Sequence, residues 1–127
     1  MIRHQTRVRV QAVMEINMKI EPLTPNEVSK YRIDSIPSYV IDAFNKLIAK
    51  YWSEPNKQSI VMQDSAVQMI KELASQSLGL ELTNNFIFDN NMLDIEALYR
   101  SKGWTVVYDK PAYNESYEAS FTFGVAE

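Results

Sequence analysis

The stretch GWTVVYDKPAYNESYEASFTF, residues 103–123, constrains the fold of this chain more than any other. Trp104, Val106 and Tyr108 share one face of an alternating run. Tyr117, Ala119, Phe121 and Phe123 share one face of a second, with Glu118, Ser120 and Thr122 turned away. Period-two alternation marks strands with one buried face. Residues 109–116 are too many for a two-residue turn, and they include Pro111, which a central strand does not tolerate. The spacing predicts a β-hairpin with a long loop, and Trp104, Tyr108, Phe121 and Phe123 as core.

A hairpin cannot bury its apolar face alone, so the preceding segments must cover it. SIPSYVIDAFNKLIAKYW predicts a helix opened by Pro37, with Val40, Phe44, Leu47, Ile48 and Tyr51 as its apolar stripe; Glu54-Pro55-Asn56 stops it. SIVMQ (59–63) reads as a short strand, followed by Asp64 as N-cap of a helix that turns Val67, Ile70, Leu73 and Ala74 inward and ends at Gly79. Thr83 is placed to cap one turn holding Phe86, Ile87 and Phe88, with an extended course as the alternative. MLDIEALYRSKG predicts a further helix with Leu93, Ala97 and Leu98 inward, stopped by Gly103. At the start, Val8, Val10, Ala12, Met14, Ile16, Met18 and Ile20 occupy every second position and read as a half-buried strand. The competing reading makes Met18 the natural start and residues 1–17 an extension.

The expected class is α+β: a small winged-helix-like domain over residues 35–127, with three main helices, a short strand and the C-terminal hairpin. Residues 1–34 form an N-terminal strand and connector. An apolar share of 46% against 23% charged residues suits one globular domain.

Several chemistries are excluded. The chain has no cysteine, which removes disulfides, thiolate ligands and cysteine nucleophiles. His4 is its sole histidine, so neither a Ser-His-acid relay nor a His-rich metal site is expected, and the three glycines build no phosphate-cradling loop. No cofactor is implied. DNNMLDIE has an EF-hand flavour, but Asp94 stands where that loop needs glycine; Asp89 and Asp94 read instead as helix caps. Asn114-Glu115-Ser116 matches a glycosylation sequon without the secretory signal that would give it meaning. The charged N-terminus and the lack of any long apolar run predict a soluble, cytoplasmic protein.

Charge is uneven. Residues 1–34 hold six basic side chains against four acidic, residues 35–83 four against five, and residues 84–127 three against seven. The hairpin end is therefore acidic, whereas phosphate binding relies on clustered cations.

IPSYVIDAFNKLI, together with the order Gly103-Trp104, Val106, Tyr108-Asp109, Pro111, Tyr113-Asn114-Glu115, Tyr117 and Phe121, resembles a group of small uncharacterised proteins of tailed phages over about residues 35–123. The resemblance implies a phage accessory product working in the host cytoplasm, and no activity.

Three functional readings stand. A non-catalytic protein-interaction or self-association module, a homodimer in its simplest form, would use the hairpin loop: Asp109, Lys110, Tyr113, Asn114 and Glu115. Tyr113 either anchors a partner there or lies back over the hairpin. A nucleic-acid-binding winged helix would use Asn90, Asn91, Arg100 and Lys102, against the nearby acids Asp94 and Glu96. An enzyme would use the carboxylates Asp109, Glu115 and Glu118, or hold a hard cation with them.

Overall fold

Pro37 does what its fixed φ suits it for, closing the first turn of α1 (Ser38–Lys50) as its N-cap. The computed structural model describes residues 21–28, 31 and 35–126. The alternating segment 8–20 and residues 1–17 lie outside the described residues. Tyr39, Val40, Ala43, Phe44, Leu47 and Ile48 form the buried stripe of α1. Tyr51, expected to extend that stripe, is the C-cap and is exposed, because the chain leaves the helix there to make a turn.

That turn was not foreseen. β1 (Trp52–Ser53) folds back on β2 (Gln58–Met62), with Trp52 opposite Ser59 and Ser53 opposite Gln58. Lys57 N–H donates to Ser53 O at 2.7 Å, and Lys57 takes a left-handed φ of 53°. Residues 54–57 therefore stop the helix as expected, but as a hairpin loop and not as a plain connector.

β2 runs directly into α2 (Gln63–Leu78), whose buried residues Ala66, Val67, Ile70, Leu73 and Ala74 include the four expected. Asp64 is not the N-cap: Met62 is, and Asp64 sits in the first turn. Its N–H, one of the donors a helix start leaves unpaired, is taken at 3.2 Å by Glu118 Oε2 from across the fold. Gly79 ends the helix at φ 67°, with Gly79 N–H and Leu80 N–H donating to Ser75 O and Ala74 O, a left-handed cap that a Cβ would strain.

α3 (Asn84–Asp89) begins where Thr83 Oγ1 accepts Phe86 N–H at 3.1 Å, so the short-helix reading holds. Of its three apolar residues Ile87 alone is buried. The helix expected over 92–103 shrinks to α4 (Glu96–Arg100). The fully buried residues of this segment are Met92 and Ile95, before the helix, and Tyr99 within it. Of the three expected inward, Leu93 and Leu98 are half-buried and pack against the core, and Ala97 is exposed. The register shifts because Asn91 adopts a φ of 54° and turns the chain before the helix starts. Asp89 is the last residue of α3 and Asp94 precedes Ile95, the N-cap of α4; neither is a helix N-cap.

β3 (Trp104–Asp109) and β4 (Ser120–Val125) complete a four-stranded antiparallel sheet of order β1-β2-β4-β3. Trp104 faces Val125, Val106 faces Phe123 and Tyr108 faces Phe121, the pairing of faces that alternation predicted. Of the four aromatics expected in the core, however, only Phe121 and Phe123 are buried: Trp104 is half-buried at the start of β3, and Tyr108, near its end, is exposed. The class is α+β. α1 and α2 cover one sheet face, and Phe44 centres the core: its ring meets Phe121 edge-on at 5.2 Å, with Phe123 at 6.0 Å and Tyr99 at 6.4 Å. The opposite face carries the cross-strand row Ile60, Thr122 and Val107, with Ile60 and Val107 exposed.

Candidate functional site

The hairpin loop is longer than alternation suggested. Asp109 belongs to β3, and β4 starts at Ser120, so residues 110–119 form the connection. Tyr117 was expected in the second strand. Its hydroxyl instead reaches back to Asp109 Oδ1 at 2.9 Å and Lys110 O at 3.0 Å, which holds it in the loop. Within the loop, Glu115 N–H donates to Ala112 O at 3.0 Å, and Ala112 N–H donates to Glu115 Oε1 at 2.9 Å. These reciprocal bonds close a four-residue turn with Tyr113 and Asn114 at its apex.

Tyr113 does not lie back over the hairpin; it is fully exposed, while its neighbours are tied to one another. Four of the five proposed contact residues, Lys110, Tyr113, Asn114 and Glu115, thus belong to one braced loop, and Asp109 ends β3 at its base. Two of the five, Asp109 and Glu115, serve as its braces. The Tyr117 hydroxyl is held above its ordinary pKa, first by its hydrogen bond to Asp109, then by lost solvation and by the charges of Asp109 and Glu115.

The three carboxylates weighed for chemistry are each engaged in structure. Asp109 accepts from Tyr117, Glu115 from Ala112 N–H and Glu118 from Asp64 N–H. Among the described residues no group of three or more His, Asp or Glu side chains is arranged to hold a metal ion. No described helix is long and apolar enough to cross a membrane.

The four residues named for nucleic acid do not converge. Asn90 caps α3, its Nδ2 donating to Phe86 O at 2.8 Å. Asn91 lines a small cavity of about 210 Å3 with Gln63, Phe88 and Tyr108. Arg100 Nη2 donates to Val106 O at 2.7 Å. Since Gly103 O accepts from Ala126 N–H, odd-numbered residues of β3 bond to β4, and Trp104, Val106 and Tyr108 present their backbone groups at the sheet edge. Arg100 therefore covers the middle carbonyl of that edge. Lys102 remains as an exposed cation after α4.

Sequence reasoning missed a second concavity. Asn45, Ile48, Ala49, Trp52, Tyr99 and Trp104 line an apolar groove of about 500 Å3 at the other end of β3. It forms because the β1 turn swings Trp52 over to meet Trp104 edge to face at 5.9 Å. Tyr99 donates to Asn45 Oδ1 at 2.6 Å, and its phenol is pushed up to about 12, by burial first and by Asp42's charge second. The tryptophans were visible in the sequence; their pairing depended on a two-residue strand that carries no periodic signal.

The chain matches no protein-family model, no curated protein and no solved structure.

Proposed function

We propose that this protein is a non-catalytic protein-interaction module whose contact is the hairpin tip, working as a phage accessory product in the host cytoplasm. The observation that carries the reading is Tyr113: a fully exposed aromatic ring on a turn closed by two hydrogen bonds and braced by Tyr117. A bare ring on an ordered loop offers contact area at small entropic cost, the property of interface anchors. Ile60 of β2 and Val107 of β3, exposed on either side of Thr122, supply further apolar surface on the same sheet.

A winged-helix nucleic-acid binder is the second reading. The strand order favours it, since β2 lies beside β4 of the hairpin and short helices precede β3. Charge and geometry oppose it. α4 has five residues, Arg100 is spent on Val106 O, and Lys110 is the loop's one cation beside Asp109, Glu115 and Glu118.

Fluorescence anisotropy of labelled duplex DNA, single-stranded DNA and RNA separates the two readings. The interaction reading expects no binding at micromolar protein in low salt. Binding that weakens steeply as salt rises would replace it with the nucleic-acid reading.

A further inference from the structure

Both tryptophans of the chain, Trp52 and Trp104, line the groove described above, so one small surface holds every indole the protein has. Asn45 Oδ1 is occupied by the Tyr99 hydroxyl, which leaves Asn45 Nδ2 as a donor at the same groove. Aromatic rings beside an amide donor suit a polyproline II segment. Such a segment makes no internal hydrogen bonds, so its carbonyls stay free to accept, and three residues per turn place positions i and i+3 on one side to lie against the rings.

The chain carries a short segment that approaches this form. Glu21-Pro22-Leu23-Thr24-Pro25 has prolines three apart, with Thr24 extended as N-cap and Pro25 opening the 3-10 turn Pro25–Glu27. Ring closure fixes φ at both prolines, and Glu21 and Thr24, each preceding a proline, are held extended. Thr24 lies at φ −87°, ψ 159°. The next turn is fixed by Thr24 N–H donating to Glu27 Oε1 at 2.9 Å, which stiffens the segment at its C-terminal side. Residues 21–28 are exposed along their whole length, so the segment does not occupy the groove of its own copy.

We propose that residues 22–25 of one copy dock in the Trp52–Trp104 groove of a second copy, which returns its own segment to the first. The exchange is reciprocal and closes a two-fold dimer. Trp104 and Asp109 are the two ends of β3, about 17 Å apart at strand rise, so this site is separate from the Tyr113 tip and does not depend on the reading above.

Sedimentation of the full chain over a range of concentrations, with tryptophan emission read on the same samples, tests it. The expected result is a monomer–dimer equilibrium in which emission shifts to the blue as dimer forms. The doubly substituted chain Pro22→Ala, Pro25→Ala should dimerise about tenfold more weakly or worse and melt at the wild-type temperature at concentrations where both chains are monomeric. The peptide EPLTPNEV (residues 21–28) should dissociate the dimer while preserving the blue shift. A chain that stays monomeric at every concentration overturns the proposal. So does a dimer indifferent to the double substitution. A monomer whose emission changes on that substitution would place the segment in its own groove, against exchange between copies. Tyr113→Ala should leave the dimer unchanged, and its loss there would move the contact to the tip.

Discussion

Phe121→Ala is the substitution that separates what the hairpin does for the fold from what its loop does beyond it. Phe121 is 1% exposed and lies between Phe44, which it meets edge-on at 5.2 Å, and Tyr108 at 4.7 Å, with Val61 opposite on β2. Truncation removes the ring's burial and all three of its aromatic contacts, Phe123 at 6.4 Å being the third, and it leaves a void beneath a sheet whose position is held by the pairing of β4 with β2 and β3. Such losses cost about 3–5 kcal/mol. For roughly 90 folded residues the unfolding entropy is about 0.19 kcal/mol/K, so Tm should fall by about 15–25 °C. Total stability for that length is on the order of 5–14 kcal/mol, so the variant keeps a marginal fold at best. Phe121→Leu, which retains part of the volume, should lose about 1–2 kcal/mol. Tyr113→Ala removes a larger side chain eight residues away in sequence, yet should stay within about 0.5 kcal/mol of wild type because the ring buries nothing. Urea melts followed by far-UV circular dichroism measure all three. Equal destabilisation by Phe121→Ala and Tyr113→Ala would refute the division between core strand and exposed tip.

Ser59→Ala should stabilise the protein by about 1 kcal/mol, since Ser59 Oγ is fully buried without a hydrogen-bond partner among the described residues; unchanged or lower stability in urea would show that the hydroxyl is satisfied. Gly103→Ala should cost about 1 kcal/mol or more, because Gly103 sits at φ 98°, and a neutral thermal melt would contradict this. The Tyr99 phenol ionises at about 12 in the fold against about 10 in the unfolded chain. Its contribution is therefore complete below pH 10 and is lost as pH rises towards 12. Tyr99→Phe should show a shallower alkaline loss of stability in that window than wild type, and an identical slope would mean that Tyr99 is not the group responsible. Tyr117→Phe removes the brace to Asp109 and Lys110 O, and should speed amide exchange across residues 110–118 while leaving β2 and β4 protected.

The legible parts of the fold were those with a long period or a strong terminator. The stripes of α1 and α2, the left-handed stop at Gly79, the Thr83 cap and the paired faces of β3 and β4 all follow from spacing and from residues with few conformational options. Three features were hidden. β1 is two residues long and carries no alternation. The shift within α4 hangs on Asn91, a residue that tolerates a left-handed φ without announcing it. Loop length was misjudged because Tyr117 alternates correctly with Ala119 and Phe121, yet its hydroxyl finds partners at Asp109 and Lys110 that sequence cannot display. Contacts between distant segments were equally invisible: Glu118 caps α2 fifty-four residues away, and Arg100 covers an edge carbonyl where readout of nucleic acid was entertained. For the candidate site, the loop and Tyr113's place at its tip were legible. Whether the ring lay back or stood out was decided by the Ala112–Glu115 turn, which spacing does not specify.

The central claim is that the hairpin tip is a protein contact, and site-specific photo-crosslinking tests it most directly. A benzophenone amino acid would replace Tyr113 in one chain and Leu78, exposed at the end of α2, in another, each expressed in bacterial host cells and irradiated there. Position 113 should yield a discrete protein adduct that position 78 does not, and that disappears when Glu115→Ala opens the turn beneath it. No adduct from position 113, or the same adducts from both positions, would contradict the account.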